Sequence, residues 1–233
     1  MKVYNIADLY IGLDCQKRTT ERAKKYLVSD FSGKEDFFIK TTPEEIASIY
    51  KPEWSEEIKA YIYEGKLFYK KLIEEYNGMM IHSSAVVVDD EAYLFSAPSG
   101  TGKSTHTSLW LKKFGGRAYI LNDDKPAVRV VGKHVFAYGT PWSGKEDFSE
   151  NKKARVKAIC FIQRDTANWI KPMSSSDAVV NLYHSSIRKV DRDIAFKIMD
   201  IINMIIERVP IYQLGCTPTE EAADLSYEMM SRG

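Results

Sequence analysis

The sequence predicts an α/β fold in which a mixed twisted sheet carries a glycine-rich loop and helices pack on the sheet. Three stretches lead to that reading. Met79 to Val88 and Ala92 to Ala97 are apolar, β-prone runs joined by the tight polar turn Asp89-Asp90-Glu91, which together read as a hairpin. The return strand feeds directly into Pro98-Ser99-Gly100-Thr101-Gly102, and a helix is predicted from Lys103 to about Phe114, stopped by Gly115-Gly116. Ala118 to Leu121 is then a buried-type strand that runs into Asn122-Asp123-Asp124.

The other elements fill in around this centre. Residues 1–78 read as a small α+β region. It holds a strand within Lys2 to Leu13, a helix from Thr19 to Val28 and a short strand at Phe37 to Ile39. Thr42-Pro43-Glu44-Glu45 has the pattern of a capping box with proline in the first turn. A longer helix from Ser55 to Tyr76 is marked by apolar residues at spacings of three and four, and Asn77-Gly78 ends it. Residues 79–233 form the second region. Its later strands are predicted at Ala127 to Val131, Val135 to Tyr138, Val156 to Gln163 and Val209 to Leu214. Helices are predicted at Asp177 to His184 and Asp191 to Arg208. Thr217-Pro218-Thr219-Glu220 repeats the capping-box pattern and opens a final helix to about Met230.

Bulk properties narrow the functional classes. A chain of 233 residues can bury a core without disulfides or structural metal. Its formal net charge of +1 supplies no global field that would select nucleic acid or an anionic membrane. The three cysteines, Cys15, Cys160 and Cys216, are widely spaced and form no C-x-x-C pair, so neither a zinc site nor a disulfide framework is indicated. The N-terminus lacks the charged-then-apolar pattern of a signal peptide, and no apolar run approaches the roughly 20 residues of a membrane span. The reducing cytoplasm is the expected location. These properties leave room for a homo-oligomer.

Ser99-Gly100-Thr101-Gly102-Lys103-Ser104 carries the chemistry. Glycines let successive N–H groups turn inward on phosphate oxygens, and the helix that starts at Lys103 adds its positive end to the same anion. Lys103 can reach the β- and γ-phosphates, and the Ser104 hydroxyl can hold Mg²⁺. The full G-x-x-x-x-G-K-[ST] pattern has glycine where this chain has Ala97, and the plain alternative is a glycine-rich turn with a surface lysine. The strand before the loop and the helix after it are the context that favours phosphate binding. A guanine signature fails at the last position of Asn151-Lys152-Lys153-Ala154, so ATP is the expected nucleotide.

Asp123 and Asp124 stand at the end of the next strand, where a carboxylate commonly steadies the phosphate-bound Mg²⁺. Two adjacent carboxylates offer two roles, one toward the metal and one accepting the proton of an attacking hydroxyl. A solvated turn is the alternative. Gly139-Thr140-Pro141-Trp142-Ser143-Gly144-Lys145 is a turn-rich loop suited to the acceptor side of a pocket. Arg155, Lys152 and Lys153 are candidates for steadying a transferring phosphoryl group. His106 reads as structural or nucleotide-adjacent.

Taken together, the Ile81-His82-Ser83-Ser84-Ala85-Val86 strand, the hairpin, S-G-T-G-K-S-T, the Gly-Gly stop and the Asp-Asp strand end resemble the catalytic domain of HPr kinase/phosphorylase. That domain shares its core with ATP-dependent phosphoenolpyruvate carboxykinase. The closer resemblance is to HPr-kinase-related proteins found with bacterial peptide-modification systems. It covers roughly Met79 to Met230, including Val209-Pro210-Ile211-Tyr212-Gln213-Leu214. It implies that Gly100, Gly102, Lys103, Ser104 and Thr105 bind phosphates and Mg²⁺, with Asp123 as general base and Asp124 as metal partner. His82 matches a histidine that the family places before its hairpin. Thr105 stands where HPr kinases usually carry Glu, and the signature that follows their catalytic domain is missing, so HPr is not the expected acceptor. The reading that results is an ATP- and Mg²⁺-dependent kinase acting on a hydroxyl of a peptide, a protein or a small molecule. A non-catalytic nucleotide switch or scaffold and a carboxykinase-like enzyme are the rivals.

Overall fold

The chain begins with a strand that turns back on itself sooner than the sequence suggests. The computed structural model of the protein describes residues 2–186 and 192–232. Within Lys2 to Leu13 lie two antiparallel strands, β1 (Val3–Ile6) and β2 (Leu9–Asp14). Ala7 and Asp8, both at φ 59°, form the two-residue turn between them. Positive φ at both central positions matches the twist of a hairpin, but alanine there carries a Cβ clash that glycine would not, so the residue pair does not announce itself. Helix α1 (Lys17–Ala23) continues into a 3₁₀ turn, and β3 (Phe37–Lys40) then lies parallel to β2.

Helix α2 (Pro43–Ala47) opens with the predicted capping box. Thr42 Oγ1 accepts the Glu45 N–H at 3.3 Å and the Glu45 carboxylate accepts the Thr42 N–H at 2.8 Å. Helix α3 (Glu56–Glu75) starts after Ser55, whose hydroxyl accepts the Ile58 N–H. Ala60, Glu64, Phe68 and Leu72 make one buried row on α3, with Gly65, Tyr69 and Ile73 beside it.

The predicted run Met79 to Val88 splits into β4 (Gly78–Met80) and β5 (Ser83–Val88), because β4 pairs with a different neighbour from β5. The remaining elements are β6 (Glu91–Ser96), α4 (Lys103–Phe114), β7 (Ala118–Asn122), β8 (Ala127–Val131), β9 (His134–Tyr138), β10 (Lys153–Arg164), β11 (Trp169–Pro172), α5 (Ser175–Ser185), α6 (Arg192–Ile206), β12 (Ile211–Cys216) and α7 (Glu220–Met230). The first residue of the predicted helix 191–208 lies outside the described residues. Strands run in the order β4-β8-β9-β10-β6-β5-β7, with β12 parallel to β10 and β11 at the edge of β12. The sheet is mixed, as expected: β6 runs parallel to β10 and antiparallel to β5.

Both faces of this sheet are covered. Ala85 and Val87 of β5 and Ala92 and Leu94 of β6 face a core shared with α3, α5, α6 and the β1–β3 sheet. Their neighbours Val86, Val88, Tyr93 and Phe95 face a second core closed by α4 and α7. Two buried faces explain why β5 and β6 read as continuous apolar runs rather than as alternating ones. The α7 capping box does not form. Thr219 is the cap position but its side chain makes no cap bond, and the hydroxyls of Thr217 and Thr219 bond to Asn168 instead.

His106 and Trp110 of α4 both reach the Ser226 hydroxyl of α7, each at 3.0 Å. Burial pushes the His106 pKa down to about 4. A neutral buried histidine costs nothing above its unfolded pKa and destabilises the fold as pH drops from about 6.5 toward 4, where the unfolded chain takes up the proton and the native chain does not. Urea melts of wild type and His106→Gln should therefore diverge on acidification, with wild type losing up to about 3 kcal/mol relative to the variant between pH 7 and pH 4. A constant difference would mean that His106 does not carry this penalty.

Candidate phosphate-transfer cleft

The loop between β6 and α4 is built around its two later glycines. Gly100 and Gly102 have φ of 77° and 126°, and a Cβ added at either would meet nothing within 4 Å. The glycines are thus required by backbone conformation and leave open space in front of the chain. Ala97 is not among the positive-φ residues and packs in the core with Phe95 and Trp110, so the position that departs from the glycine pattern needs no glycine. Helix α4 begins at Gly102 with no side-chain cap and no acidic residue in its first turn. Its first N–H groups and positive end are therefore left for an incoming anion. Arg164, at the end of β10, donates Nε to the Thr101 carbonyl at 3.2 Å and Nη2 to the Gly100 carbonyl at 2.5 Å. Each trans peptide points its N–H opposite its C=O, so tying the Thr101 carbonyl to Arg164 turns the Gly102 N–H the other way.

Lys103 donates Nζ to the Ala97 carbonyl at 2.8 Å. Burial lowers its pKa, the Asp124 charge raises it and Lys125 lowers it again. Ser99, Ser104 and Thr105 line the same cleft as Lys103, Gly100 and Gly102, facing Asp123 and Asp124 across about 390 Å³ of space. Thr101 lies on the other flank of the loop, beside a pocket described below.

The acidic pair is presented by Asn122, which is fully buried at the end of β7. Its Oδ1 accepts the N–H groups of Asp124 at 3.0 Å and Lys125 at 2.7 Å, and its Nδ2 donates to the Thr140 carbonyl. This is an asparagine turn of the kind that mimics a backbone turn. Asp123 Oδ1 accepts the Gly144 N–H at 2.6 Å. Burial raises the Asp123 pKa, and that hydrogen bond offsets it only in part. Asp124 goes the opposite way. Burial would raise it, but the hydrogen bond from His82 and the charges of Lys125, His82 and Lys103 bring it below the usual value. His82 Nε2 lies 3.2 Å from Asp124 Oδ1, and Lys125 Nζ lies 3.7 Å from the same oxygen. His82 sits in the break between β4 and β5, the point where that run changes sheet neighbours.

The far wall is the loop after β9, and residues from the first third of the chain hold it in place. Arg22 of α1 donates Nη1 to the Ser143 carbonyl at 2.7 Å and Nη2 to the Gly144 carbonyl at 2.8 Å. Its Nη1 also reaches the Tyr61 hydroxyl, which bonds to the Pro141 carbonyl. A Cβ at Gly144 would fall 2.6 Å from Asp123 Oδ2, and one at Gly139 would fall 1.8 Å from the Glu150 carbonyl oxygen, so both glycines are there for close approach. Trp142 is buried, stacked on Phe68 with ring centroids 4.8 Å apart, and donates Nε1 to the Tyr61 carbonyl. Gly144, Lys145 and Glu146 line the cleft.

A second pocket of about 400 Å³ lies on the other flank of the loop, between Thr101, Thr105, Ile162, Arg164, Thr217 and Pro218, and it shares Gly102 and Thr105 with the cleft.

The structure thus brings the predicted loop residues other than Thr101, both aspartates and His82 to one place. It does not bring Arg155, Lys152 or Lys153. They lie at the start of β10, with Lys153 paired to Asp8 and Lys152 over the Tyr119 ring. Arg164 is nine residues beyond Arg155 along that strand, roughly 30 Å away at strand rise. The cations at the cleft and its loop are Lys103, Lys125, Lys145 and Arg164. Among the described residues no group of three His, Cys, Asp or Glu side chains could hold a metal by itself. The oxygen donors lining the cleft are the hydroxyls of Ser99, Ser104 and Thr105 and the carboxylates of Asp123, Asp124 and Glu146, a set that suits Mg²⁺ bound jointly with phosphates rather than a protein cage.

No family model matches the sequence, and no curated protein matches it. Among solved structures, the Hpr(Ser) kinase/phosphatase from Coxiella burnetii is similar over 66% of this chain and 99% of that one, at 10% identity and a TM-score of 0.38. A superposition that loose transfers no residue roles. Among the described residues no helix is long and apolar enough to cross a membrane.

Arg22→Gln removes the donors that hold the carbonyls of Ser143 and Gly144. Each buried acceptor left unpaired costs about 1–3 kcal/mol. Hydrogen exchange at amides 143–147 is expected to quicken at least tenfold, with little change at β10. Unchanged exchange would show that the loop holds itself.

Proposed function

We propose that the protein is an ATP- and Mg²⁺-dependent kinase that transfers the γ-phosphoryl group to a hydroxyl of a peptide, a protein or a small molecule. The observation that carries this reading is one cleft in which an uncapped helix end and an open two-glycine loop face a pair of carboxylates with opposite pKa shifts. A binding loop alone would call for the first half. The second half is what transfer needs.

The loop N–H groups and the α4 terminus receive the phosphates. Lys103 exchanges the Ala97 carbonyl for a phosphate oxygen. Arg164 fixes the loop from behind, and the neighbouring 400 Å³ pocket offers room for the nucleoside half. Ser104 and Asp124 are the residues that would hold Mg²⁺, which when bound neutralises phosphate charge. His82 and Lys125 keep Asp124 ionised for that role. Asp123, raised by burial and oriented by the Gly144 N–H, accepts the proton of the attacking hydroxyl. Two carboxylates pushed apart in acid strength by their surroundings is a recurring division of labour in such sites.

The test is γ-labelled ATP with Mg²⁺ and lysate of the host, with Lys103→Ala and Asp123→Asn as controls. Wild type should label a peptide, protein or metabolite. Lys103→Ala should lose the product, and Asp123→Asn should bind ATP within about threefold of wild type while losing at least 100-fold in transfer, the range of a removed general base. Tight ATP binding with no labelled product, and with Asp123→Asn affecting metal affinity alone, would move the reading to a nucleotide-gated switch.

A further inference from the structure

Three spaces adjoin one another around the cleft. The nucleoside-sized pocket meets the phosphate cleft at Gly102 and Thr105, and the cleft meets a third space through Asp124, one of the aspartates that face the loop. That third space is an open crevice of about 190 Å³, walled mainly by apolar atoms of Tyr61, Ile62 and Gly65 of α3, Met80 of β4 and Trp142, with Lys66, Asp124 and Lys125 completing the lining. Its walls are fixed. The Trp142 indole is stacked on Phe68 and bonded through Nε1 to the Tyr61 carbonyl. Gly65 sits mid-helix, where glycine is unfavourable relative to alanine, and a Cβ there would lie 2.7 Å from Trp142 Cδ1. Ile62, 39% exposed, forms the outer lip.

In-line transfer requires the acceptor to approach the γ-phosphate from the side opposite the departing diphosphate. With the nucleoside in the pocket beside Thr105, that side is the one held by the aspartates facing the loop, and the crevice adjoins the cleft there at Asp124. We infer that the crevice is the acceptor subsite, and that the acceptor is a hydroxyl compound bearing an apolar group of isobutyl or benzyl size next to its reacting hydroxyl. This rests on the kinase reading above. The apolar group fills the crevice and the hydroxyl projects past Asp124 into the cleft. The hydroxyl oxygen forms the new bond to the γ-phosphorus. The bond from that phosphorus to the β,γ-bridging oxygen breaks, and its electron pair leaves with ADP. The hydroxyl proton passes to the Asp123 carboxylate. Two sources present such a group: a seryl residue beside a leucine or phenylalanine in a peptide, and a free branched or aromatic alcohol.

Binding is measured first, without catalysis. Benzyl alcohol and 3-methyl-1-butanol are titrated into protein saturated with Mg²⁺ and a non-hydrolysable ATP analogue, and the Met80 methyl and Trp142 indole N–H signals are followed by NMR. Saturable shifts at both are expected. Ile62→Glu, an exposed substitution at the lip, should weaken them at least tenfold and leave analogue binding unchanged. The absence of saturable shifts, or the same titration in the variant, overturns the inference. Transfer is measured next. N-acetyl-Ala-Ser-Leu-amide should take label from γ-labelled ATP roughly 10- to 100-fold faster than N-acetyl-Ala-Ser-Ala-amide, the gain set by burying one such side chain. If the source is a free alcohol, 3-methyl-1-butanol should outrun ethanol by the same factor. Equal rates within both pairs, from enzyme that labels a product in lysate, overturn the acceptor role of the crevice and leave the kinase reading standing. Protein that binds the alcohols but labels nothing in lysate overturns the kinase reading instead, and the acceptor role with it.

Discussion

The hydrogen bond from the Gly144 amide to the Asp123 carboxylate is the contact on which the cleft depends. It joins the end of β7 to a loop 21 residues later, at 2.6 Å. For it to form, Asn122 must shape the turn that presents Asp123, and position 144 must lack a Cβ. The loop must also be held from outside, by Arg22 at two of its carbonyls and by Tyr61 at a third. Tyr61 in turn stands on α3, whose Gly65 lets Trp142 seat against the helix. A charge-assisted bond of this kind is short and directional, so it fixes both the loop and the carboxylate. Without it the second wall of the cleft would have no register against the first.

Charge in the cleft is balanced locally. Lys103 and Lys125 both act on Asp124, with His82 on the same oxygen as Lys125. Lys103 is held by the Ala97 carbonyl, which accepts one of its hydrogens. The lysine stays close to its working position at little cost, because a backbone carbonyl gives up a donor more readily than a paired carboxylate would.

The features that sequence made legible are those whose signals are local. The glycine loop, the hairpin before it, the Asp-Asp strand end and the Thr42–Glu45 capping box are each written within a few consecutive residues. Arg22 was hidden because its partners are more than a hundred residues away, and on its own it looks like one more cation on a polar helix. Lys125 and Arg164 were hidden for a different reason: Lys125 pairs with its own neighbour Asp124, and Arg164 reaches a loop 63 residues earlier, so neither cation has a local pattern that sets it apart. Arg155 was singled out on the strand whose far end carries Arg164, because sequence shows which residues share a strand but not which end of it faces the site. The signal available for Asn122 was its place before Asp-Asp, since asparagine two residues ahead of a backbone N–H favours a turn. The Ala7-Asp8 turn lacked glycine, and the Thr217–Glu220 pattern lost its threonines to Asn168. In both cases a tertiary contact or the sheet's twist prevailed over local preference.

The shared core has a consequence for modularity. The apolar cluster that supports β5 and β6 continues through α3 into β1, β2 and β3, and Arg22 and Tyr61 brace the cleft from that side. A segment starting at Met79 would carry the whole glycine loop, His82 and both aspartates. It would lack the struts that keep them opposed. Grafting or shuffling that segment alone would move the reagents without the vice that holds them, so the heritable unit of this cleft is the longer stretch that begins with the first hairpin.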